Sequence, residues 1–285
     1  MILDKNTKIL IIGLGMIGGS YAMALKKKGY AVSAITRSPS TIDWALEHGI
    51  IDKGTCKVDP EFVGEADLVV SGLYPHTFIE WIRDNQHLFK KGAVITDVTG
   101  VKGSITSTIQ GMLRDDLEFI AAHPMAGRER SGVKYSDDGV FKNANYIVVP
   151  TEKNTEKAVE ICRALGETLG FANISVLSPD RHDEMIAFLS QLTHCIAVAL
   201  MCSNDDPAIK NYTGDSFRDL TRIARINDEM WSELFLANRE KLLEQMDSFM
   251  GSFTKLRKTL EDGDREEMRE MMRLSTARRA EFDKK

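Results

Sequence analysis

His123 stands in "FIAAHPMAGRERSG" (119–132), after a short apolar run and just before Arg128, Glu129 and Arg130. An imidazole is the side chain whose charge changes near neutral pH, so a histidine in a site can move a proton. Two more histidines, His182 and His194, lie in "DRHDEMIAFLSQLTH" (180–194). On a straight helix they are about 18 Å apart, so they cannot ligate one metal ion within that helix. Further on, "SFRDLTRIARINDEMW" carries Arg218, Arg222 and Arg225. Their i, i+4 and i, i+3 spacings share a helix face, and a guanidinium fork suits a carboxylate. Each group also has an ordinary structural reading. A lone histidine ending a strand or amid apolar residues is usually a hydrogen-bonder of the core, and arginines are usually solvated.

What positions these groups is read from the first half of the chain. "GLGMIGGS" places Gly13, Gly15 and Gly18 as G-x-G-x-x-G, straight after the apolar run "KILIIG" and at the start of the helical "MIGGSYAMALKKKG". In that context the three glycines serve a tight turn, a close backbone approach to a pyrophosphate, and helix-on-strand packing. The helix start, with Met16 and Ile17, offers unpaired N–H groups to the anion. A site for NAD carries an acid at the end of the second strand. Here that end reads "ITRSPS", with Thr36, Arg37 and Ser38. A guanidinium with hydroxyl neighbours would receive a 2′-phosphate, so NADP is favoured, with NAD as the alternative. "SGLYPHT" ends another strand, and the backbone at Leu73 and Tyr74 is expected along the cofactor.

Strand-like segments at 8–13, 31–36, 66–72, 93–98, 117–122 and 145–150 alternate with helical ones, which predicts a mostly parallel sheet covered by helices. Ligands bind at the carboxyl ends of such strands, so His123 would face a nicotinamide. After "ANISVLSPD" the pattern turns all-helical, beginning with one long helix over 179–201. A boundary near 176 therefore separates a dinucleotide-binding domain, 1–176, from a helical domain, 177–285. Phe235, Leu242, Met246, Phe249, Phe253, Leu256 and Leu260 recur at sevens, fours and threes. That seam would pack inside the chain or on a partner.

The remaining composition excludes several classes. The chain has 285 residues, 43% hydrophobic and 28% charged, with a formal net charge of −5. No basic face is available for nucleic acid or an anionic membrane. "MILDKNTKILIIGLG" reads as a first strand, not a signal peptide, and no apolar run reaches the roughly 18 residues of a bilayer span. Cys56, Cys162, Cys195 and Cys202 show no C-x-x-C or zinc-ligand spacing, so no metal is expected and the thiols should be reduced in a cytoplasm.

Taken in order, "IIGLGMIGGS", "TDVTGVKG", "HPMAGRERSG", "HDEMIAFLSQLTH" and "DLTRIARINDEMW" resemble the TyrA family, the prephenate and arogenate dehydrogenases of tyrosine biosynthesis. The resemblance runs from residue 8 to about 260. It implies a Rossmann-type domain followed by a helical dimerisation domain, with a homodimer built through the latter. It implies a dicarboxylate substrate whose ring C4 loses a hydride to the nicotinamide while CO2 departs. His123 matches the family base that takes the C4 hydroxyl proton. Arg222 matches the arginine that holds a substrate carboxylate, His194 a second substrate-contacting histidine, and Glu129 an acid at the mouth of the site. Trp231 and Met230 match positions near the pocket wall, and core packing explains them as well. Many relatives keep a serine, bonded to the histidine and the substrate, where this chain has Gly100. Either Thr99 or a water replaces that hydroxyl, or the contact is absent. The chain has no room for the ACT or chorismate mutase domains that some relatives carry, so separate tyrosine feedback is not expected.

Two other readings compete. A β-hydroxyacid dehydrogenase has the same layout and a catalytic lysine, which Lys210 superficially offers. A dinucleotide-sensing regulator would bind NADP without needing His123, Arg222 and His194 to converge. Between prephenate and arogenate the residues do not choose.

Overall fold

The computed structural model describes residues 2–127 and 130–282. The first strands and helices follow the expected alternation. They are β1 (Lys8–Ile12), α1 (Met16–Lys27), β2 (Ala31–Ile35), α2 (Pro39–Glu47), β3 (Lys53–Thr55), α3 (Pro60–Gly64), β4 (Leu68–Ser71), α4 (Pro75–Asn85), β5 (Val94–Asp97) and α5 (Gly103–Met112). With β6 (Glu118–Phe119) the strands form a parallel sheet in the order β3-β2-β1-β4-β5-β6. This is the doubly wound order, in which the chain reverses direction between β1 and β4 and opens a crevice at the strands' carboxyl ends. β3 carries no strand signal in "KGT" and was not expected; it pairs at the sheet edge beside β2.

Burial explains why β1 reads as one apolar run. Ile9 and Ile11 enter the core on one face of the sheet, and Leu10 and Ile12 the core on the other. A strand covered on both faces has no polar side to show. Truncating one of these side chains to alanine costs about 2–5 kcal/mol.

The segment expected as one strand over 117–122 divides at Ile120. β6 ends at Phe119, and a separate strand, β7 (Ala121–Met125), leaves the parallel sheet. β7 pairs antiparallel with β8 (Asn145–Val149), and β8 pairs parallel with β9 (Asn173–Val176), with α6 (Glu156–Leu169) between them. His123 therefore lies inside a strand, opposite Ile147, not beyond a strand end. The apolar run could not show this, because Phe119 to Ala122 are buried on both sides of the change of sheet.

The expected long helix is continuous but uneven. α7 (Pro179–Ile186) and α8 (Thr193–Cys202) are joined by a π-helical stretch, Ala187–Leu192. Such insertions are frequent at functional sites. By length and composition Pro179–Cys202 could cross a membrane, a property that the interrupted apolar runs had not suggested. Its buried polar side chains are satisfied within the protein: Gln191 donates to the Leu234 carbonyl at 2.9 Å and accepts from Asn238 at 2.8 Å. α9 (Asp215–Thr221) and α10 (Asp228–Ala237) follow, then α11 (Arg239–Asp262) and α12 (Arg265–Ala280). The chain forms two compact units, Met1–Asn238 and Arg239–Lys285, so α7 to α10 belong with the sheet. Within the second unit Leu242 is buried, whereas Phe249, Phe253 and Leu260 of the apolar seam are exposed.

The turn between β1 and α1 is the most tightly specified part of the fold. A Cβ on Gly18 would sit 2.1 Å from the Gly13 carbonyl oxygen, a backbone atom with nowhere to go. We therefore expect Gly18→Ala to destabilise the protein by about 1–3 kcal/mol, as overpacking does. It should also weaken dinucleotide binding. Thermal unfolding and a cofactor titration check this; unchanged values for both would contradict it.

Candidate active site

The phosphate loop carries the expected geometry. Gly13 has φ +93°, a left-handed conformation open to glycine, and a Cβ there would strike Leu73 and Gly72. Gly15 caps α1 in an extended conformation and has open space where its side chain would be. A phosphate can approach backbone there, at the positive end of α1. Met16 and Gly18 are buried and Ile17 is half-buried. At the end of β2, Thr36 is held by its N–H to the Thr55 carbonyl, Ser38 shares a hydrogen bond with Ser40 at 2.9 Å, and Arg37 is exposed. The residues that follow β2, Thr36, Arg37 and Ser38, include no carboxylate. Leu73 is half-buried, and Tyr74 is the N-cap of α4 with its hydroxyl accepting from Asn227 at 3.2 Å. These residues fit a nicotinamide dinucleotide.

His123 is not a lone histidine. Its Nδ1 lies 2.8 Å from Nε2 of His182, and Nδ1 of His182 lies 2.7 Å from Oδ1 of Asp183. Asp183 sits in the second turn of α7 and is buried. Its Oδ1 also accepts from the Lys102 N–H at 2.8 Å, and its Oδ2 from the Gly103 N–H at 2.7 Å. Those are the first amides of α5, a helix with no side-chain cap of its own. A carboxylate from α7 thus satisfies orphan donors and meets the positive end of α5.

The Lys102 side chain turns the other way. It is fully buried, with Nζ 2.6 Å from Asp97 and 3.1 Å from the Thr99 hydroxyl. Asp97 also accepts from the Ala122 N–H at 3.1 Å, so the buried ion pair fixes the backbone next to His123. Buried charges persist only when paired in this way, and removing one partner costs about 3–5 kcal/mol.

Burial pushes His123 well below the ordinary imidazole range, with His182 and Lys102 adding to the effect. Burial also lowers His182, opposed by its bond to Asp183. Burial lowers the Lys102 ammonium, opposed by Asp97. Both rings are therefore neutral at neutral pH.

Other expected residues fall as follows. The Thr99 hydroxyl has its proton directed at Asp97 and the Val101 carbonyl and accepts from Lys102, so its hydrogen bonds serve the Asp97–Lys102 pair. Gly100 faces Leu234, and a Cβ there would make ordinary contacts at 3.5 Å, so the glycine is not forced by crowding. His194 is half-buried, with Nδ1 2.8 Å from the Ser190 carbonyl and its ring stacked 3.8 Å from Trp231. Met230 follows the N-cap Asn227 on α10, which puts Trp231 and Met230 on one turn. Arg222 is exposed at the start of a short 3-10 turn after α9. Arg218 pairs with Asp215 on the surface. Lys210 is exposed in another 3-10 turn. Glu129 and Arg128 lie outside the described residues. Asp97, Lys102, His182 and Asp183 were legible only as motif letters. The adjacent His-Asp pair in the first turns of a helix was the available signal.

Two family models match the chain: the prephenate dehydrogenase nucleotide-binding domain over residues 21–174, and the prephenate dehydrogenase dimerization domain over 178–274. A prephenate dehydrogenase of Bacillus subtilis is 31% identical over 274 residues, covering 93% of this chain and 72% of that protein. One from Lactococcus lactis is 32% identical, covering 85% and 68%. A crystal structure of the A. aeolicus prephenate dehydrogenase, bound to hydroxyphenyl propionate and NAD+, is 30% identical with a TM-score of 0.90, covering 97% of this chain and 98% of that one. With a doubly wound sheet, a glycine turn shaped for a dinucleotide and matches over nearly its whole length, the chain is an NAD(P)-dependent oxidoreductase that belongs to the prephenate dehydrogenase family.

Proposed function

We propose that this enzyme converts prephenate to 4-hydroxyphenylpyruvate and CO2, with His123 as the base. The observation that carries this reading is the Asp183–His182–His123 chain, which ends on a neutral, half-buried ring in β7, one residue from the amide that Asp97 at the end of β5 binds. The nicotinamide, when bound, accepts the hydride. His123 Nε2 takes the C4 hydroxyl proton as C4 is oxidised. The ring carboxylate then leaves as CO2, its electron pair aromatises the ring, and the phenolate oxygen takes the proton back. Aromatisation drives the reaction, so the protein has chiefly to orient the reactants and move one proton. Arg222 is assigned to a substrate carboxylate and His194, steadied against Trp231, to a second polar contact. Glu129 is assigned to the mouth of the site and the Gly100 backbone to its wall.

NADP is the cofactor we favour, because Thr36, Arg37 and Ser38 replace the acid that a ribose 2′-hydroxyl would meet. Residues 1–176 are taken as the cofactor domain and 177–285 as the substrate and dimerisation domain. The four free cysteines support reading it as a cytoplasmic enzyme. A homodimer is supported by the exposed Phe249, Met250, Phe253 and Leu260 of α11 and by Phe188 and Leu189 in the π-helical stretch.

The test of the reading is NAD(P)H formation from prephenate and from arogenate, each with NAD and with NADP. Prephenate with NADP should give the highest kcat/KM; absence of turnover with prephenate would overturn the assignment. In the same assay Arg37→Ala should raise KM for NADP about 10- to 100-fold, the worth of a charge-assisted bond, and leave KM for NAD nearly unchanged. Equal effects would contradict the NADP preference.

His123→Asn should lower kcat about 10²–10⁴-fold. The base works only when neutral, and burial lowers its pKa. Activity should therefore persist below the ordinary imidazole value of about 6.5 and fall only as pH drops through the depressed pKa. An acid limb at or above that value would contradict the burial argument. Light scattering on the eluting enzyme should give twice the 31.9 kDa chain mass, and a monomer at micromolar concentration would count against the dimer.

A further inference from the structure

We propose that His182 and Asp183 are positioning residues that set the tautomer of His123, holding the proton on Nδ1 so that Nε2 carries the lone pair. This rests on His123 being the base. The hydrogen bonds fix each proton in turn. Asp183 accepts from two backbone N–H groups, so its carboxylate is an acceptor and the ring facing it must donate. His182 therefore carries its proton on Nδ1, toward Asp183. A neutral ring has one N–H, so Nε2 of His182 is an acceptor. The group 2.8 Å away, Nδ1 of His123, must then be the donor. One proton is left for the neutral His123 ring and it is on Nδ1, so Nε2 is bare and can accept.

The arrangement also receives the charge that catalysis creates. When the substrate hydroxyl proton arrives at His123 Nε2, the ring becomes an imidazolium whose Nδ1–H points at the His182 lone pair. The carboxylate behind His182 favours that positive charge. The return of the proton to the phenolate restores the starting tautomer, so the pair is not consumed. The charged groups facing the two rings are Asp183 on α7, Asp97 on β5 and Lys102 before α5. Asp97 is already paired with Lys102, which leaves Asp183 as the anion aimed at the relay. His182 is fully buried, which keeps water from substituting for either bond.

Two experiments test it. Long-range proton–nitrogen correlation spectra of the unaltered enzyme, carrying isotope-labelled histidine, should show both His123 and His182 with the proton on Nδ1. A spectrum with His123 protonated on Nε2 overturns the proposal, and this readout stands whatever substrate the enzyme uses. In turnover, His182→Gln puts a carbonyl oxygen within reach of His123 Nδ1 and should keep kcat within about tenfold of the unaltered enzyme, by the scale of an altered second partner. His182→Leu offers no acceptor and should lower kcat about 10²-fold or more, with KM for substrate and cofactor little changed. Loss of kcat in both variants together with a lowered melting temperature would mean a structural role and would also overturn it, as would normal kcat in His182→Leu. If no substrate turns over, the functional reading fails while the spectrum still decides the tautomer.

Discussion

The Asp183 carboxylate is the contact on which the site depends. It closes the amino end of α5, holds His182, and through His182 reaches His123 on β7. One buried group thus joins the helical segment after residue 178 to the carboxyl edge of the parallel sheet. Its three hydrogen bonds meet the usual condition for a buried charge, and the α5 macrodipole adds to them. Asn238 extends the tie by donating to the Asp183 carbonyl at 2.9 Å and to Gln191. The helices α7 to α10 consequently belong to the same compact unit as the sheet.

Around that contact the chain keeps two buried electrostatic arrangements with different tasks. Asp97 and Lys102 neutralise each other and immobilise the start of β7 through the Ala122 amide. In the proposed mechanism, Asp183 and the two histidines hold an uncharged base ready to accept. Separation of the two is what allows a lysine to be buried near a neutral imidazole without protonating it. The lysine's charge is held by Asp97, and its positive field favours the neutral rings.

Much of this was legible in the residues. The glycine spacing, its place between strand and helix, and the "TRS" at the end of β2 specify the cofactor half through local geometry alone. The change of sheet at Ile120 was hidden, because a strand buried on both faces shows no periodicity to mark where one sheet ends. The partner of His182 is hidden in sequence because the contact is tertiary: nothing local says that the first turns of α7 meet β7. His194 shares the helical stretch with His182, whereas the partner of His182 lies 59 residues back in sequence. Thr99 was matched to a missing hydroxyl by its place beside Gly100, yet its hydroxyl serves the Asp97–Lys102 pair. Residue type and neighbourhood in sequence carried the chemistry; direction of the side chain did not follow from them.

The central claim is that His182 acts on the reaction only through His123. A double-mutant cycle on kcat, combining His123→Asn with His182→Leu, tests this most directly. With His123 replaced, there is no base left to orient, so adding His182→Leu should cause little further loss. Independent, multiplying losses from the two substitutions would contradict the account.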